Sequence, residues 1–178
     1  MTTPAFVHLH NHTDYSLLGS TIRVDDLIAK TREFGMTAVA ITDSNNMSGA
    51  VSFYFQCKKN GIKPIIGAEI SVASVLPIQD EKIVRPTYKL VLLCMNLAGY
   101  RNLCRIVSVA CSKGFKDISP VTPGILASHS EGLICLSGGM ASELTALCRQ
   151  GSDDAMSVAA WYDEHFPDCF IMNRQISV

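Results

Sequence analysis

Apolar runs of strand length alternate with stretches of helical character along the chain. Continuous apolar runs predict strands at residues 5–10, 37–42, 63–72, 88–94 and 132–136, with a shorter sixth at 169–172. Helical spacing and helix-stop signals predict helices at about 24–34, from the turn at 43–46 to about 60, and at 97–112, 140–149 and 153–165. Residues 77–86 are predicted to form a polar, exposed loop.

This alternation indicates an α/β fold. Strands separated by helices predict a parallel sheet with right-handed crossovers, and strands that are apolar at nearly every position predict cover on both faces. An α/β barrel and a doubly wound sheet both satisfy the pattern. Such folds build their functional sites where the strands end, so polar side chains at those positions are the first candidates for chemistry.

Composition narrows the class of protein without indicating an activity. With 178 residues, 48% of them hydrophobic, the chain has material for one sizeable core. No apolar run approaches the roughly 20 residues that span a bilayer, and no secretory signal is recognisable, so we expect a cytoplasmic protein without membrane contact. The seven cysteines are odd in number and form no CxxC pair, which favours reduced, packed thiols. The net charge of −1 predicts no strong nucleic-acid binding by this chain itself.

Three histidines alternate with other residues near the start of the chain. His8, His10 and His12 occupy every second position, so on an extended backbone their side chains point to one side. The alternative for any single histidine is a hydrogen-bonded residue of the core or rim. Three in alternation favour metal ligation instead.

Two carboxylates occur near the ends of the next predicted strands. Asp43 follows the second strand, where capping of the following helix is a better interpretation than ligation. Glu69 follows the apolar residues 65–68 and is harder to explain as a surface charge, so we interpret it as a ligand. Separate strands would then contribute to one site.

Longer phrases resemble a known family. The phrases that carry the resemblance are FVHLHNHTDYSLLGS at 6–20, AVAITDSNNMSGAVSFY at 38–54, GIKPIIGAE at 61–69, KLVLLCMNLAGYRNL at 89–103, EGLICLSGGMASEL at 131–144 and DEHFPD at 163–168. In order and spacing they resemble the PHP domain that opens the alpha subunit of bacterial DNA polymerase III. The resemblance implies an α/β fold of a particular kind, an incomplete distorted (β/α) barrel of PHP type.

The resemblance also implies a metal site. Intact members of the family hold a cluster of metal ions on histidine and carboxylate ligands and hydrolyse phosphoesters. Position by position, His10, His12 and Glu69 match metal ligands of the family. No residue of this chain is assigned a catalytic role.

Three other ligand positions depart from the family pattern. The resemblance implies an aspartate where this chain has Gly19, and histidines where it has Ser44 and Lys89. The ammonium of Lys89 repels divalent cations and can instead fill the vacated space and pair with Glu69. We therefore expect no resident metal cofactor. One zinc or manganese ion stays the alternative, because two histidines and a glutamate are the usual protein ligands of a catalytic zinc.

These departures predict a structural function within a replicative polymerase. The resemblance implies a module that docks a proofreading exonuclease subunit, with the remaining alpha-subunit domains as partners and DNA contacted only through the full polymerase. The alternative is a residual metal-dependent phosphoesterase or 3′–5′ exonuclease. A stand-alone PHP phosphatase is disfavoured by the polymerase-like phrases after residue 88. Nucleotide polymerisation is not expected, because the carboxylates that hold magnesium in the family lie in later domains.

The end of the chain differs from the family. Residues 173–178 depart from the acidic, aromatic phrase that the resemblance implies, and a later pair of ligands has no counterpart. We expect residues 1–178 to form a single PHP-type domain that is truncated at its C-terminal side.

Overall fold

A mixed β-sheet with helices around it forms the core of the fold. The structure is a computed structural model and describes residues 6–77, 85–112 and 118–172. The strands are β1 (Ala38–Ile41), β2 (Lys63–Ala73), β3 (Thr87–Cys94), β4 (Leu133–Leu136) and β5 (Phe170–Ile171), and they lie side by side in that order. The helices are α1 (Val24–Glu33), α2 (Ala50–Lys59), α3 (Leu97–Ala110), α4 (Pro123–Ser128), α5 (Glu143–Gln150) and α6 (Asp154–His165), with a 3₁₀ turn at Gly139–Ala141.

The prediction of a parallel sheet is wrong for the centre of the sheet. Only the outer pairs, β1 with β2 and β4 with β5, are parallel, whereas β3 is antiparallel to both of its neighbours. Among the described residues, no helix separates β2 from β3, so no crossover turns the chain around. Between β3 and β4, the unpredicted α4 follows α3, and a simple β–α–β unit does not form. The class is α/β, as predicted, and the sheet is unclosed.

Most predicted elements form within a few residues of their predicted bounds. Gly35 ends α1 in the left-handed region, at a φ of 65°, which a glycine adopts without strain. The helix cap predicted at residues 43–46 is wrong, because α2 begins at Ala50 with Gly49 as its N-cap residue, and no side chain caps it. Of the loop predicted at 77–86, residues 78–84 lie outside the described residues, as do residues 173–178.

The predicted first strand is an extended segment rather than a strand. Residues 6–12 run beside β1, where the amide of Ala40 donates to the carbonyl of His8 over 3.0 Å and the amide of Thr42 donates to that of Asn11 over 2.9 Å. The Asn11 side chain adds a bond to the carbonyl of Ala40 at 3.0 Å. Side-chain hydrogen bonds thus replace part of the backbone pairing expected of a strand. They hold residues 6–12, the histidine segment, over the end of β1.

Both faces of the central strands are covered, as predicted. In β3, Leu90, Val91, Leu92 and Leu93 are all at most 2% exposed. One face packs against α3 through residues such as Leu103, and the other packs against Ala40, Leu136 and Leu9. The strands beside the site are therefore packed on both faces.

Two further expectations concern cysteines and membranes. All seven cysteines are free thiols, as predicted. In the described part of the chain, no helix is both long enough and apolar enough to cross a membrane.

Candidate metal centre

Three side chains meet beside β2. His10 Nε2 lies 3.1 Å from Glu69 Oε2 and 3.1 Å from His12 Nε2, and His12 Nε2 lies 3.4 Å from the same carboxylate oxygen. The side chain of Glu69 is 13% exposed, and those of His10 and His12 are 29% and 27% exposed. The site is therefore open to solvent at the histidines and closed behind the carboxylate.

The spacing of these atoms fits one metal ion. In a tetrahedral zinc site with bonds of about 2.0–2.1 Å, neighbouring ligand atoms are about 3.3–3.4 Å apart. The edges of the triangle formed by His10, His12 and Glu69 measure 3.1, 3.1 and 3.4 Å. Two imidazoles and one carboxylate oxygen can hold one ion and leave a fourth position open. Among the residues that the structure describes, no second group of three candidate ligands is present.

Lys89 and Ser44 occupy the other oxygen of the Glu69 carboxylate. The ammonium of Lys89 lies 3.3 Å from Glu69 Oε1, and the Ser44 hydroxyl donates to that oxygen over 3.1 Å. Lys89 also donates to Ser71 Oγ over 3.2 Å. The predicted pairing of Lys89 with Glu69 is thus confirmed. Glu69 Oε1 therefore lies between a lysine and a serine, at two positions where the resemblance implied histidines.

Glu69 does not end its strand, contrary to expectation. It lies within β2, after the part that pairs with β1 and opposite Val91 of β3. The turn after β1 takes over the pairing there: the amide of Asn45 donates to the carbonyl of Glu69 over 2.7 Å, and the amide of Glu69 donates to that of Asp43 over 3.2 Å. The end of β1, rather than the end of β2, therefore marks the site.

Asp43 is neither a candidate ligand nor a helix cap. Its carboxylate is 2% exposed and accepts three hydrogen bonds, from the amide of Thr13 at 2.6 Å, the hydroxyl of Thr13 at 2.7 Å and the hydroxyl of Ser16 at 2.6 Å. The preferred interpretation of this residue, capping of the following helix, was local in sequence. Its actual partners lie 27 and 30 residues away, and they bind the histidine segment to the end of β1.

His8 does not join the other histidines. It is exposed and its ring packs edge-on against Phe6, with ring centres 4.7 Å apart. The prediction that three histidines converge is wrong for this one, because the segment is not a regular strand. Leu9 packs inward against the core, whereas His10 reaches Glu69.

Sequence reasoning missed two residues that organise the site. Ser16 lies against the ring of His12, with its Oγ 3.3 Å from Nδ1. Asn45 has a φ of 49° and binds Ser71 through both ends of its amide, at 2.9 and 3.1 Å. Two signals were available in the sequence. Ser16 lies four residues after His12, and Asn45 is an asparagine, a residue type that tolerates the left-handed backbone region.

Burial and charge shift two pKa values in the centre. Desolvation raises the pKa of the Glu69 carboxyl, but its hydrogen bonds to His10 and His12 and the charge of Lys89 outweigh that effect and hold it well below its usual range. The hydrogen bond to Glu69 raises the pKa of His12, and desolvation offsets part of the rise. The centre therefore holds an ionised carboxylate and favours positive charge beside it.

The family model described as "PHP domain" matches residues 8–175. The chain belongs to the PHP domain family. The resemblance seen in the sequence is thereby confirmed.

Curated relatives place this PHP domain among polymerase sequences. The DNA polymerase III subunit alpha of Chlamydia pneumoniae is 38% identical over 173 residues, which cover 96% of this chain and 14% of that protein. That of Borreliella burgdorferi is 38% identical over 176 residues, covering 96% of this chain and 15% of that protein. The matched part is the N-terminal region of the subunit. The chain thus spans about one seventh of the length of these relatives.

A solved structure agrees on the fold. The crystal structure of a candidate metal-dependent phosphoesterase from Bifidobacterium adolescentis has a TM-score of 0.50 at 14% identity, covering 91% of this chain and 85% of that one. At this identity the likeness concerns the fold alone. It supports the prediction of an α/β fold of PHP type.

Proposed function

We propose that this chain is the PHP segment of a bacterial DNA polymerase III alpha subunit, that it stabilises that polymerase, and that it docks a separate proofreading exonuclease subunit without hydrolysing phosphoesters itself. Its identity of 36–38% to alpha subunits over nearly its whole length supports the first part. The remaining alpha-subunit domains are then its partners in the same polypeptide. DNA is contacted through the full polymerase, which agrees with the net charge of −1.

The position of Lys89 carries the non-hydrolytic part of the proposal. Metal-assisted hydrolysis needs ions that activate a water and neutralise charge on the phosphoryl group. The Lys89 ammonium, 3.3 Å from Glu69 Oε1, already neutralises the carboxylate that a cluster would share. It also repels a second divalent ion at that distance. A tethered cation therefore stands where the family pattern implies a metal ligand, which supports a structural centre.

An apolar groove is a candidate contact surface for the exonuclease subunit, so the docking part of the proposal can be tested there. The groove has a volume of about 530 Å³ and lies between α2 and the start of α3. Phe55 and Leu97 line it and are 66% and 63% exposed. Exposed apolar patches of this kind are typical of contact sites between proteins.

The test measures binding of the exonuclease subunit to the polymerase that carries this chain. We expect a stable complex by calorimetry, and we expect the His10→Ala variant to bind equally well, because docking does not need a metal. Phe55→Ser and Phe34→Ser form a matched pair, since Phe34 is 65% exposed but lies outside the groove. Weaker binding by Phe55→Ser alone assigns the contact to the groove. Absence of any complex with the unaltered polymerase contradicts docking.

One observation favours a second candidate, a phosphoesterase with a single ion. The triangle of His10, His12 and Glu69 has the edge lengths of a zinc site, as described above. A bound ion there would supply a Lewis acid and lower the pKa of a water. His10, His12 and Glu69 would hold it, and the neighbouring Lys89 would attract a phosphate ester. Metal analysis and hydrolysis of p-nitrophenyl phosphate decide the matter: a rate that His10→Ala leaves unchanged ends this candidate.

A further inference from the structure

We propose that the apolar groove between α2 and the start of α3 binds a segment of the exonuclease subunit that combines apolar side chains with carboxylates at one end. This inference rests on the proposed docking function and adds the chemistry of the segment that docks. Two exposed lysines at one end of the groove, Lys58 and Lys63, carry the inference.

Both lysines lie at the rim of the groove. Lys58 is in the last turn of α2, one helical turn after Tyr54, and its ammonium lies 5.8 Å from the centre of the Tyr54 ring, which lines the groove. Lys63 begins β2 and directly precedes Pro64, another residue of the lining. Because only a short turn separates the end of α2 from the start of β2, the two cations belong to the same end of the groove.

No carboxylate neutralises these two cations. Among the residues that the structure describes, neither Lys58 nor Lys63 forms an ion pair, and no aspartate or glutamate lines the groove. The first turn of α3, which borders the groove, has no acidic residue, and a helix N-terminus carries partial positive charge. This end of the groove is therefore positive, although the whole chain has a net charge of −1.

Most of the lining is apolar and accessible. Val51, Phe55, Met95 and Leu97 line the groove and are exposed, so their burial favours a partner with apolar side chains. A purely apolar segment would leave the two lysines without a counter-charge. A purely acidic segment would leave the apolar lining in water. The two features together select a segment that has both kinds of side chain.

Single-stranded nucleic acid is the other polyanion to consider, and it fits the groove less well. A nucleic acid has a phosphate at every nucleotide, and the grooves that bind it carry positive charge along the whole path of the backbone. Here the lysines lie at one end, and the lining itself has no charged side chain in the described part of the chain. A protein segment with its carboxylates grouped at one end matches this distribution.

Charge reversal in the full polymerase tests the inference. The double variant Lys58→Glu, Lys63→Glu should bind the exonuclease subunit about tenfold more weakly at low salt, because each new glutamate repels the carboxylates of the partner. The loss should shrink at high salt, since exposed charges are screened there. Calorimetry at low and at high salt measures both effects.

Arg149 provides a matched control. Like Lys58, it is an exposed cation in the last turn of a helix, so its reversal has the same effect on the helix dipole. It lies on α5 and does not line the groove. Arg149→Glu should therefore bind the exonuclease subunit as tightly as the unaltered polymerase does, whereas the single variant Lys58→Glu should bind it more weakly. Equal losses from the two single variants would overturn the inference.

Zero-length cross-linking gives a second readout, which needs no variant. A carbodiimide joins a lysine amine to a carboxylate in direct contact, forming an amide while the reagent takes up the water released. In the complex of the unaltered polymerase with the exonuclease subunit, we expect Lys58 or Lys63 to be joined to an aspartate or glutamate of that subunit. Mass spectrometry of the digested complex identifies the joined residues.

The outcomes separate this inference from docking itself. If the unaltered polymerase does not bind the exonuclease subunit, both proposals fail. If the complex forms and the double variant binds as tightly as the unaltered polymerase, the inference is wrong while docking stands. If the double variant loses affinity for single-stranded oligothymidine alone, the lysines bind nucleic acid and the inference is again wrong. If the double variant does not fold, the cross-links of the unaltered complex decide.

Discussion

The two sides of the Glu69 carboxylate differ in what they retain. On the Oε2 side, His10 and His12 keep the residue types and spacing of a metal site. On the Oε1 side, Ser44 and Lys89 stand where the family pattern implies histidines. Each oxygen of the carboxylate has polar partners, the two histidine rings at Oε2 and the serine and lysine at Oε1.

The two oxygens of one carboxylate thus face different partners, two imidazole rings on one side and a hydroxyl and an ammonium on the other. The side of His10 and His12 is called the retained side. It is braced by a buried carboxylate, Asp43, that touches no candidate ligand directly. The side of Ser44 and Lys89 is called the replaced side. It is braced by Lys89, whose ammonium supplies the positive charge that Glu69 requires. A buried carboxylate needs a compensating charge or hydrogen bonds, and either a metal or a lysine meets that need.

The largest effect on stability should come from removing the carboxylate of Asp43, which braces the retained side. Asp43→Ala leaves the amide and hydroxyl of Thr13 and the hydroxyl of Ser16 without their acceptor in a buried position. We expect a loss of about 3–5 kcal/mol in the free energy of unfolding, measured by urea titration. The exposed Asp14 is the control, and Asp14→Ala should cost less than about 0.5 kcal/mol. Equal losses would show that Asp43 does not brace the segment.

A somewhat smaller effect should come from the backbone under the replaced side. Gly138 has a φ of 74°, and a β-carbon there would overlap the carbonyl oxygen of Lys89. Gly138→Ala should therefore cost about 3 kcal/mol of stability, from left-handed strain and from displacement of β3. Gly151 is a matched control, because its φ is 66° but nothing lies within 4 Å of an added β-carbon. Gly151→Ala should cost about 1 kcal/mol, and the difference between the two variants measures the contact with Lys89.

The sequence was informative where the interactions are local or periodic. The apolar periodicity of 24–34 and 88–94 predicted α1 and β3 closely, and the alternation of His10 and His12 predicted that they share a side. It failed at α4, which has six residues and too few positions for a period to show. It also failed for the direction of β3, because strand direction depends on how the connection between strands packs.

The organisation of the site depended on distant partners that a pattern does not reveal. Asp43 resembles a helix cap locally, yet it binds residues about 30 positions earlier in the chain. His8 fits the histidine alternation, yet the backbone is not a regular strand there. The pairing of Lys89 with Glu69 could be anticipated, because the resemblance implied that both positions belong to one site, where a lysine needs a carboxylate partner.

The charge of Lys89 should lower the affinity of the site for zinc. Lys89→Met removes a positive charge beside Glu69 and keeps the length of the side chain, so we expect zinc to bind about tenfold more tightly. Calorimetry on the chelator-treated chain measures this. Lys63 is an exposed lysine at the start of β2, the strand that carries Glu69, and Lys63→Met should leave zinc affinity unchanged. Weaker binding by Lys89→Met would mean that Lys89 holds Glu69 in its ligating position.

The smallest effect concerns the pH dependence of stability in the metal-free chain. The pKa of His12 is raised in the folded state above its ordinary value of 6.5, so its contribution is complete below that pH and is lost as the pH rises through the folded value. The lowered pKa of Glu69 acts in the opposite sense, and its contribution is lost as the pH falls below the ordinary pKa of a glutamate toward the lowered folded value.

The free energy of unfolding should therefore decline slightly as the pH rises from about 6 to 8. We expect the decline to be less than about 1 kcal/mol, because the pair is partly exposed and screened by solvent. His12→Gln should remove it, whereas His8→Gln should preserve it, since His8 is exposed and does not join the centre. Identical slopes for His12→Gln and the unaltered chain would mean that the raised pKa of His12 does not set this pH dependence.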